Sequence, residues 1–244
     1  MWLRVAGALL LMAFAQTFDV VSIKPTPPGK LSIAIETAPG RFLAKGATVN
    51  FLLQYGYGLQ AFEIVGGPSW TESDRFEIEG KFDGEDSPTR MIPMLREVLA
   101  DRFKLKFHRE TRQLPVYELV VAKSGAKLQA PGLKTMGREP RFAPSAGRLV
   151  ASNQTMPALA TALTRTLRRR VLDKTSLKDH YDFVLQWTPD DNQTPPLRPS
   201  ATASDPNGPS IFTAIQEQLG LRLESSRGPV EVLVIDHVEQ PSTN

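Results

Sequence analysis

The 244-residue chain contains no cysteine, which excludes disulfide bonds, thiolate metal ligands and a cysteine nucleophile. It has three histidines, and none of them are spaced as in the zinc-binding motifs HxxxH and HExxH. Neither sign of charge dominates, because 29 Lys and Arg are balanced by 26 Asp and Glu. With a net charge of only +3, we expect no nucleic-acid partner. Since 41% of the residues are hydrophobic, the composition predicts a globular protein stabilised by core packing alone.

The chain also lacks an apolar run of about 20 residues, the length that a membrane-spanning helix requires. Its first 15 residues, MWLRVAGALLLMAFA, combine a positive charge at Arg4, a short apolar run and the small-residue pattern Ala13-Phe14-Ala15. This pattern is typical of a secretory signal peptide, so we expect residues 1–15 to be removed before Gln16. The mature chain is then expected to be exported to the periplasm or the exterior, without a membrane span.

The mature sequence indicates an internal duplication. A stretch that begins near residue 40 matches, without gaps, a stretch 107 residues later, so that Thr48 aligns with Thr155 and Phe76 with Phe183. A second, shorter block repeats after it at a larger offset. Both copies alternate strand-like and helix-like patterns. The predicted fold is therefore α+β, with two tandem duplicated lobes, each a small, mostly antiparallel sheet with two helices.

Composition sets the expected boundaries of these lobes. The first lobe is predicted over residues 16–123 and the second over residues 147–244. A Gly-, Pro- and Lys-rich linker at residues 124–146 separates them. Six prolines predict an irregular loop over residues 189–209 of the second lobe.

Helix and strand patterns can be assigned within each half. Thr48, Thr155 and Ser210 occupy positions typical of helix N-caps, and Gly220 is placed to end the last helix. A pair of strands is expected to close each half, with residues 104–110 opposite 116–123 and residues 222–225 opposite 230–238.

Several short sequence motifs resemble those of a known protein family. Among them are Gly66-Gly-Pro-Ser-Trp70, Asp74-Arg-Phe-Glu-Ile78 and Leu99-Ala-Asp-Arg-Phe-Lys-Leu105. In these motifs the chain resembles the soil-associated family of exported proteins that is expanded in acidobacteria. That family is defined by a domain of unknown function. No activity, substrate or cofactor is established for that family, so the resemblance implies export and little else. Some members join the domain to membrane-bound peptidases like those that sense β-lactams, which by analogy implies a sensing or binding role.

Motifs for catalysis are weak throughout the chain. Ser124 and Lys127 match the S-x-x-K string of penicillin-recognising enzymes, but those enzymes place the serine at the start of a helix, and here it lies in the linker. Glu77 and Glu79 alternate on the polar face of a strand, as solvated surface residues do. His108 and His237 lie on different strands of different halves and could meet only through the tertiary fold, so we expect each histidine to be a surface or half-buried residue. We therefore expect no catalytic residue, no cofactor and no metal.

The candidate site consists of aromatic residues. Tyr55, Tyr57 and Trp70 lie beside glycine turns, where flat rings can form a surface for a carbohydrate or a peptide. The alternative is that these rings fill the space between sheet and helix.

The functional prediction is a non-enzymatic binding or interaction module of the cell envelope or exterior. Its partner would be an envelope protein, a peptide or a carbohydrate. The alternative is a hydrolase acting on an envelope or extracellular polymer, for which the sequence offers no nucleophile and base.

Overall fold

The computed structural model describes residues 17–29, 32–85, 87–145, 147–189 and 208–242. The predicted signal peptide, residues 1–15, lies outside them, and so does most of the predicted proline-rich loop, residues 189–209. The described residues form helices and several small sheets, as an α+β protein does. In this part of the chain no helix is both long and apolar enough to cross a bilayer.

Helices and strands alternate along the chain. The helices are α1 (Val49–Tyr57), α2 (Trp70–Ser73), α3 (Pro88–Arg102), α4 (Met156–Leu167) and α5 (Ile211–Leu219), with a 3₁₀ turn at Ala61–Glu63. The strands are β1 (Val20–Pro25), β2 (Ala34–Ala38), β3 (Arg41–Ala47), β4 (Ile64–Gly66), β5 (Phe76–Lys81), β6 (Lys106–Val121), β7 (Arg141–Ser145), β8 (Arg148–Gln154), β9 (Val171–Asp173), β10 (Tyr181–Gln186) and β11 (Leu221–His237).

The chain forms two compact units. The first contains the described residues up to Arg109 together with those from Leu233 onward, and the second is Glu110–Val232. The chain therefore passes from one unit to the other within β6 and again within β11. The predicted linker at residues 124–146 contains β7, which pairs with β8 in the second unit.

The first unit contains an antiparallel sheet with strand order β1-β5-β3-β2. Alternation in β5 follows the sequence pattern, since Phe76 and Ile78 are buried while Glu77 and Glu79 are partly exposed. Helices α1 and α3 pack against each other. The largest fully buried side chains of this core are Ile23, Phe42, Leu52, Leu53, Ile78, Met91, Met94, Leu95, Leu99 and Phe103.

The second unit contains an antiparallel sheet with strand order β10-β8-β7. In β10 the buried residues Phe183 and Leu185 alternate with more exposed ones. α5 packs against β10, and α4 packs against β9. The fully buried side chains here include Leu119, Met156, Leu159, Leu185, Ile215 and Leu221.

The predicted helix caps are confirmed. The hydroxyl oxygens of Thr48, Thr155 and Ser210 accept hydrogen bonds from the backbone N–H three residues later, which satisfies one free donor at each helix start. Gly220 ends α5 in the left-handed conformation, with a φ of 64°. Local sequence chemistry alone is sufficient to place these boundaries.

The expected pairs of strands at the end of each half are wrong, because β6 and β11 are each one long strand. The polar residues near the middle of each, which suggest turns, stay extended because the two strands are neighbours in a sheet and supply each other's backbone partners. In the second unit, for example, Arg227 also donates from Nη2 to the carbonyl oxygen of Gln113 at 2.9 Å.

The short parallel strands pair with the long strands in a crossed manner. In the first unit β4 pairs with residues 233–235 of β11, and in the second unit β9 pairs with residues 117–119 of β6. Each short strand therefore pairs with the long strand of the other half of the sequence. The core of the first unit accordingly includes Leu233 and Ile235 from the end of the chain.

The gapless match between the halves holds only up to β4 and β9. β8, α4 and β9 begin 107 residues after β3, α1 and β4, but β10 begins 105 residues after β5. Phe183 lies opposite Ala151 in the sheet, and the pair that corresponds to this one in the first half is Ile78 with Ala44. The expectation that Phe183 takes the position of Phe76 is therefore wrong, although both side chains are buried. A connection that is two residues shorter before β10 shifts the match by two residues.

Candidate functional site

β10 is an edge strand, so some of its backbone N–H and C=O groups point away from the sheet. Alternate residues of an antiparallel edge strand point their N–H and C=O groups toward the neighbouring strand and away from it. Trp187, just after β10, donates its N–H to the carbonyl oxygen of Gly147 on the β8 side, at 2.8 Å. Asp182 and Gln186 donate theirs in the other direction. Val184 lies between these two and shares their parity, so its N–H and C=O also point away from β8.

Both ends of this edge are occupied. At one end, the N–H of Asp182 donates to the carbonyl oxygen of Gln129 at 2.9 Å. At the other, the side-chain amide of Gln218 accepts from the N–H of Gln186 at 2.9 Å and donates to its carbonyl oxygen at 2.7 Å. The Gln218 amide thus takes the place of a neighbouring strand. Within the part of the chain that the structure describes, the outward N–H and C=O of Val184 have no partner.

A cavity of about 450 Å³ lies at this edge, wholly within the second unit. Val184, which is 43% exposed, lies on its wall together with Lys127 and Gln218. The other lining residues are Gln129, Val150, Ala151, Ser152, Asp182, Phe183 and Leu219. The site therefore combines an open strand edge, an exposed aliphatic side chain and polar groups from four segments of the chain.

Asp182 organises one side of the cavity. Its carboxylate accepts hydrogen bonds from the backbone N–H groups of Gly132 at 3.0 Å and Asn153 at 2.8 Å, and from the hydroxyl of Thr135. Partial desolvation raises the pKa of Asp182, but these hydrogen bonds lower it by more, so the pKa lies below its usual value. The charged form of Asp182 therefore holds Gly132, Thr135 and Asn153 together.

We expect Asp182→Asn to destabilise the second unit at neutral pH, because an amide accepts fewer hydrogen bonds than a carboxylate and carries no charge. The folded-state pKa is depressed, so the stabilisation in the native protein is present above the unfolded pKa and is lost as the pH falls through the folded pKa. Urea unfolding at a series of pH values from neutral downward should show the full difference between native and variant protein at neutral pH, and a difference that shrinks as the pH falls through the folded pKa. Asp179→Asn, at an exposed position before β10, is the matched control. Equal destabilisation by Asp182→Asn across the pH series would contradict the expectation.

The predicted aromatic site lies in the first unit. Tyr55, Tyr57 and Trp70 are partly buried, and all three pack against the core of that unit. Tyr57 meets Phe107 edge to face at 5.0 Å between ring centroids, and Trp70 meets Phe76 in the same manner at 6.4 Å. These contacts are those of rings that fill space between sheet and helix, the alternative that the sequence left open. A ligand surface formed by these rings stays a prediction.

Tyr57 contacts the side chain of an arginine. The guanidinium carbon of Arg96 lies 4.8 Å from its ring centroid, and Arg96 also donates from Nε to the carbonyl oxygen of Gly56 at 2.7 Å. Burial raises the pKa of Tyr57, and the charges of Arg96 and Arg109 only partly oppose this effect. The Tyr57 hydroxyl is therefore neutral at physiological pH, and its ring carries a stacked arginine.

Two histidines have acidic partners, one distant in the sequence and one two residues away. His108 Nδ1 lies 2.8 Å from Asp236 Oδ1, and His237 Nε2 lies 2.8 Å from Glu239 Oε1. Both pairs are about half exposed in the first unit, and exposed pairs of this kind contribute little to stability. No group of three or more His, Asp or Glu side chains within the described ranges is arranged to hold a metal ion.

The remaining catalytic motifs do not assemble. The backbone from Ser124 to Lys127 is not helical, and Lys127 donates from Nζ to the carbonyl oxygen of Glu217 at 2.9 Å. The serine and lysine of this string therefore lack the one-turn helical spacing of penicillin-recognising enzymes. Glu79 pairs with Arg41 at 3.0 Å on the surface of β5.

A family model described as "Protein of unknown function (DUF3738)" matches residues 50–238, which is most of the chain. The chain belongs to the DUF3738 family. No curated protein and no solved structure matches it significantly.

The match to the DUF3738 model includes both short parallel strands and β10 with the residues around its edge. Sequence reasoning did not select Val184, Asp182 or Gln218 as site residues. Only the alternation in β10 gave a signal, since it predicts that Asp182 and Val184 face away from the core. That β10 lies at the end of its sheet is decided by strand order, which local sequence does not carry.

Proposed function

We propose that this DUF3738 member is an exported, non-enzymatic binding module of the cell envelope or exterior, and that it binds an extended peptide segment of a partner protein at the edge of β10. The observation that carries the proposal is the unpaired, outward N–H and C=O of Val184, between two neighbouring positions whose backbone groups are already paired. An extended peptide supplies backbone donors and acceptors that match such an edge.

A peptide fits this cavity better than a sugar for three reasons. The Gln129 backbone and the Gln218 side chain already act as short pieces of a neighbouring strand, so that a peptide backbone would fill the space between them. The exposed side chain of Val184 offers an aliphatic contact for one peptide side chain. Sugars are commonly bound on aromatic faces, and the only aromatic side chain among the cavity-lining residues of the described chain is Phe183, which is buried.

Export is part of the same proposal. The signal-like pattern of residues 1–15 and the resemblance to exported proteins of soil acidobacteria support a location outside the cytoplasm. N-terminal sequencing of the expressed protein tests this part, with Gln16 expected as the first residue and an intact Met1 as the contrary result.

We also propose that the two halves arose by duplication. Equal spacing of three successive elements supports it, as do the equivalent capping threonines and the crossed pairing of short and long strands. A register shift occurs beside the equivalent residues Ala47 and Gln154, just before each capped helix, which supports it further. An experimental structure in which β3, α1 and β4 fail to superpose on β8, α4 and β9 would overturn the duplication.

Val184→Pro is expected to abolish peptide binding while the fold is kept. Proline removes the N–H that points away from β8, and edge strands accept proline at such positions. The probe is a displayed library of short random peptides, selected on the mature native protein. Selected peptides should bind the proline variant at least about tenfold more weakly, since they lose the hydrogen bond from the Val184 N–H and the peptide contacts beside it.

Val184→Thr is the matched control, because threonine is also β-branched and keeps the backbone N–H. It should bind the selected peptides nearly as well as the native protein. Equal binding by the proline variant, or no selectable peptide at all, would overturn the proposal. Binding of insoluble polysaccharide in place of peptide would instead favour the carbohydrate alternative.

A further inference from the structure

The loop at residues 132–137 exposes two large apolar side chains. Leu133 is 96% exposed and Met136 is 62% exposed, the highest values among the large hydrophobic residues that the structure describes. Isolated surface hydrophobics are common, but two at the tip of one turn form a small apolar projection.

This exposure is built into the local structure. The backbone N–H groups of Thr135 and Met136 both donate to the carbonyl oxygen of Gly132, at 2.9 and 2.8 Å. Asp182 accepts from the N–H of Gly132 and from the hydroxyl of Thr135, which fixes the loop to β10. Just after the loop, the carbonyl oxygen of Arg138 accepts a hydrogen bond from Nδ2 of Asn153 at 2.6 Å. The loop is therefore held so that Leu133 and Met136 stay in solvent.

The sequence segment that contains this loop is rich in positive charge. Residues 123–141 contain five basic side chains and one acidic side chain, Glu139. The net charge of this segment is therefore +4, which exceeds the +3 of the whole chain. Lys134 lies between the two apolar residues and Arg138 lies just after them, and both are exposed.

We propose that this loop binds the surface of an anionic lipid bilayer. Leu133 and Met136 insert at the boundary between headgroups and acyl chains, while Lys134 and Arg138 contact the phosphate groups. Shallow apolar insertion combined with nearby cations is the established physical basis of peripheral membrane attachment.

A lipid surface fits this loop better than a protein partner does. A stable protein interface buries roughly 800 Å² on each side and needs complementary shape, which two side chains on a projecting turn do not supply. A bilayer has no fixed shape to match and presents negative charge over a wide area. The proposal is independent of peptide binding at β10.

Vesicle co-sedimentation of the mature full-length protein tests the proposal. One set of vesicles contains phosphatidylcholine alone, and in the other about a third of the lipid is phosphatidylglycerol. We expect binding to the anionic vesicles and a decrease as salt is added, since ions screen the attraction. Leu133→Ser with Met136→Ser should weaken partitioning about tenfold, and Lys134→Glu with Arg138→Glu should weaken it by at least as much.

Val20→Ser with Ile33→Ser is the matched control, because both positions are exposed hydrophobics in the first unit. This control and Val184→Pro should bind vesicles like the native protein. The proposal is overturned if anionic vesicles are not bound, if the loop variants bind them unchanged, or if the loop variants lose a protein partner and keep lipid binding.

Discussion

Ending the chain after Val232 is expected to unfold the first unit. This truncation removes Leu233 and Ile235, which are 1% and 7% exposed and belong to the core of that unit. It also removes the parallel partner of β4 and the hydrogen bond from the N–H of Glu239 to the carbonyl oxygen of Phe103. Losing large buried side chains costs about 2–5 kcal/mol each, and a domain is stable by only about 5–15 kcal/mol in total.

Hydrogen exchange read by mass spectrometry measures this effect peptide by peptide. Peptides from α1, α3 and β5 should lose their protection in the truncated chain. A chain that ends after Gln240 keeps all of β11 and should exchange like the native protein. Leu233→Ala is a milder version, expected to lower the stability of the first unit by about 2–5 kcal/mol. Unchanged protection of the first unit in the chain ending at Val232 would contradict the crossed pairing of β4 and β11.

Gly220→Ala is expected to destabilise the second unit by about 3 kcal/mol. Gly220 has a φ of 64°, which disfavours any residue with a side chain. A Cβ added there would lie 2.1 Å from the carbonyl oxygen of Gly125 and 2.8 Å from the backbone N of Lys127. Both atoms are backbone, so relief of the overlap requires the segment to move. That segment is also held by the hydrogen bond from the N–H of Lys127 to the carbonyl oxygen of Leu219, at 2.8 Å.

Gly58→Ala separates the two causes. Gly58 ends α1 with a φ of 68°, nearly that of Gly220, but a Cβ added there meets nothing within 4 Å. This variant should therefore lose only the conformational part, about 1 kcal/mol. Denaturant unfolding combined with hydrogen exchange assigns each loss to its unit. Equal losses at Gly58 and Gly220 would contradict the close approach of residues 125–127 to the end of α5.

Gly220→Ala also bears on the candidate site. Movement of residues 125–127 would displace Lys127, which lines the cavity at β10. The variant should therefore weaken binding of selected peptides even under conditions in which it remains folded. Because Val184→Pro acts on the strand edge itself, the two variants probe different residues of the cavity wall.

The parts of the fold that sequence reasoning predicted correctly depend on neighbours in the chain. The hydroxyl of Thr155 needs only the N–H of Ala158 to cap a helix, and the two belong to the same turn. Burial alternates in β5 because successive side chains of any strand point to opposite faces. Interactions of this short range leave a readable pattern in the sequence.

The candidate site was not predictable in the same way. Asp182 takes its hydrogen bonds from residues 29 to 50 positions away in the chain, and Gln218 reaches a backbone 32 positions away. Whether the N–H of Val184 is free depends on which strands lie beside β10. The two-residue difference that moves Phe183 to the position of Ile78 likewise became visible only through strand register.

Local sequence patterns are enough to predict the α+β content, the starts of α1, α4 and α5, the end of α5, and the buried faces of β5 and β10. Strand pairing in the folded protein makes β6 and β11 single strands, gives each unit a strand from the other half of the sequence, and leaves β10 with an open edge. The physical reason is that backbone hydrogen bonds between strands are chemically alike for all residues, so side-chain patterns do not specify which strands pair. That choice is made by packing of the two cores, which draw on residues distant in the chain.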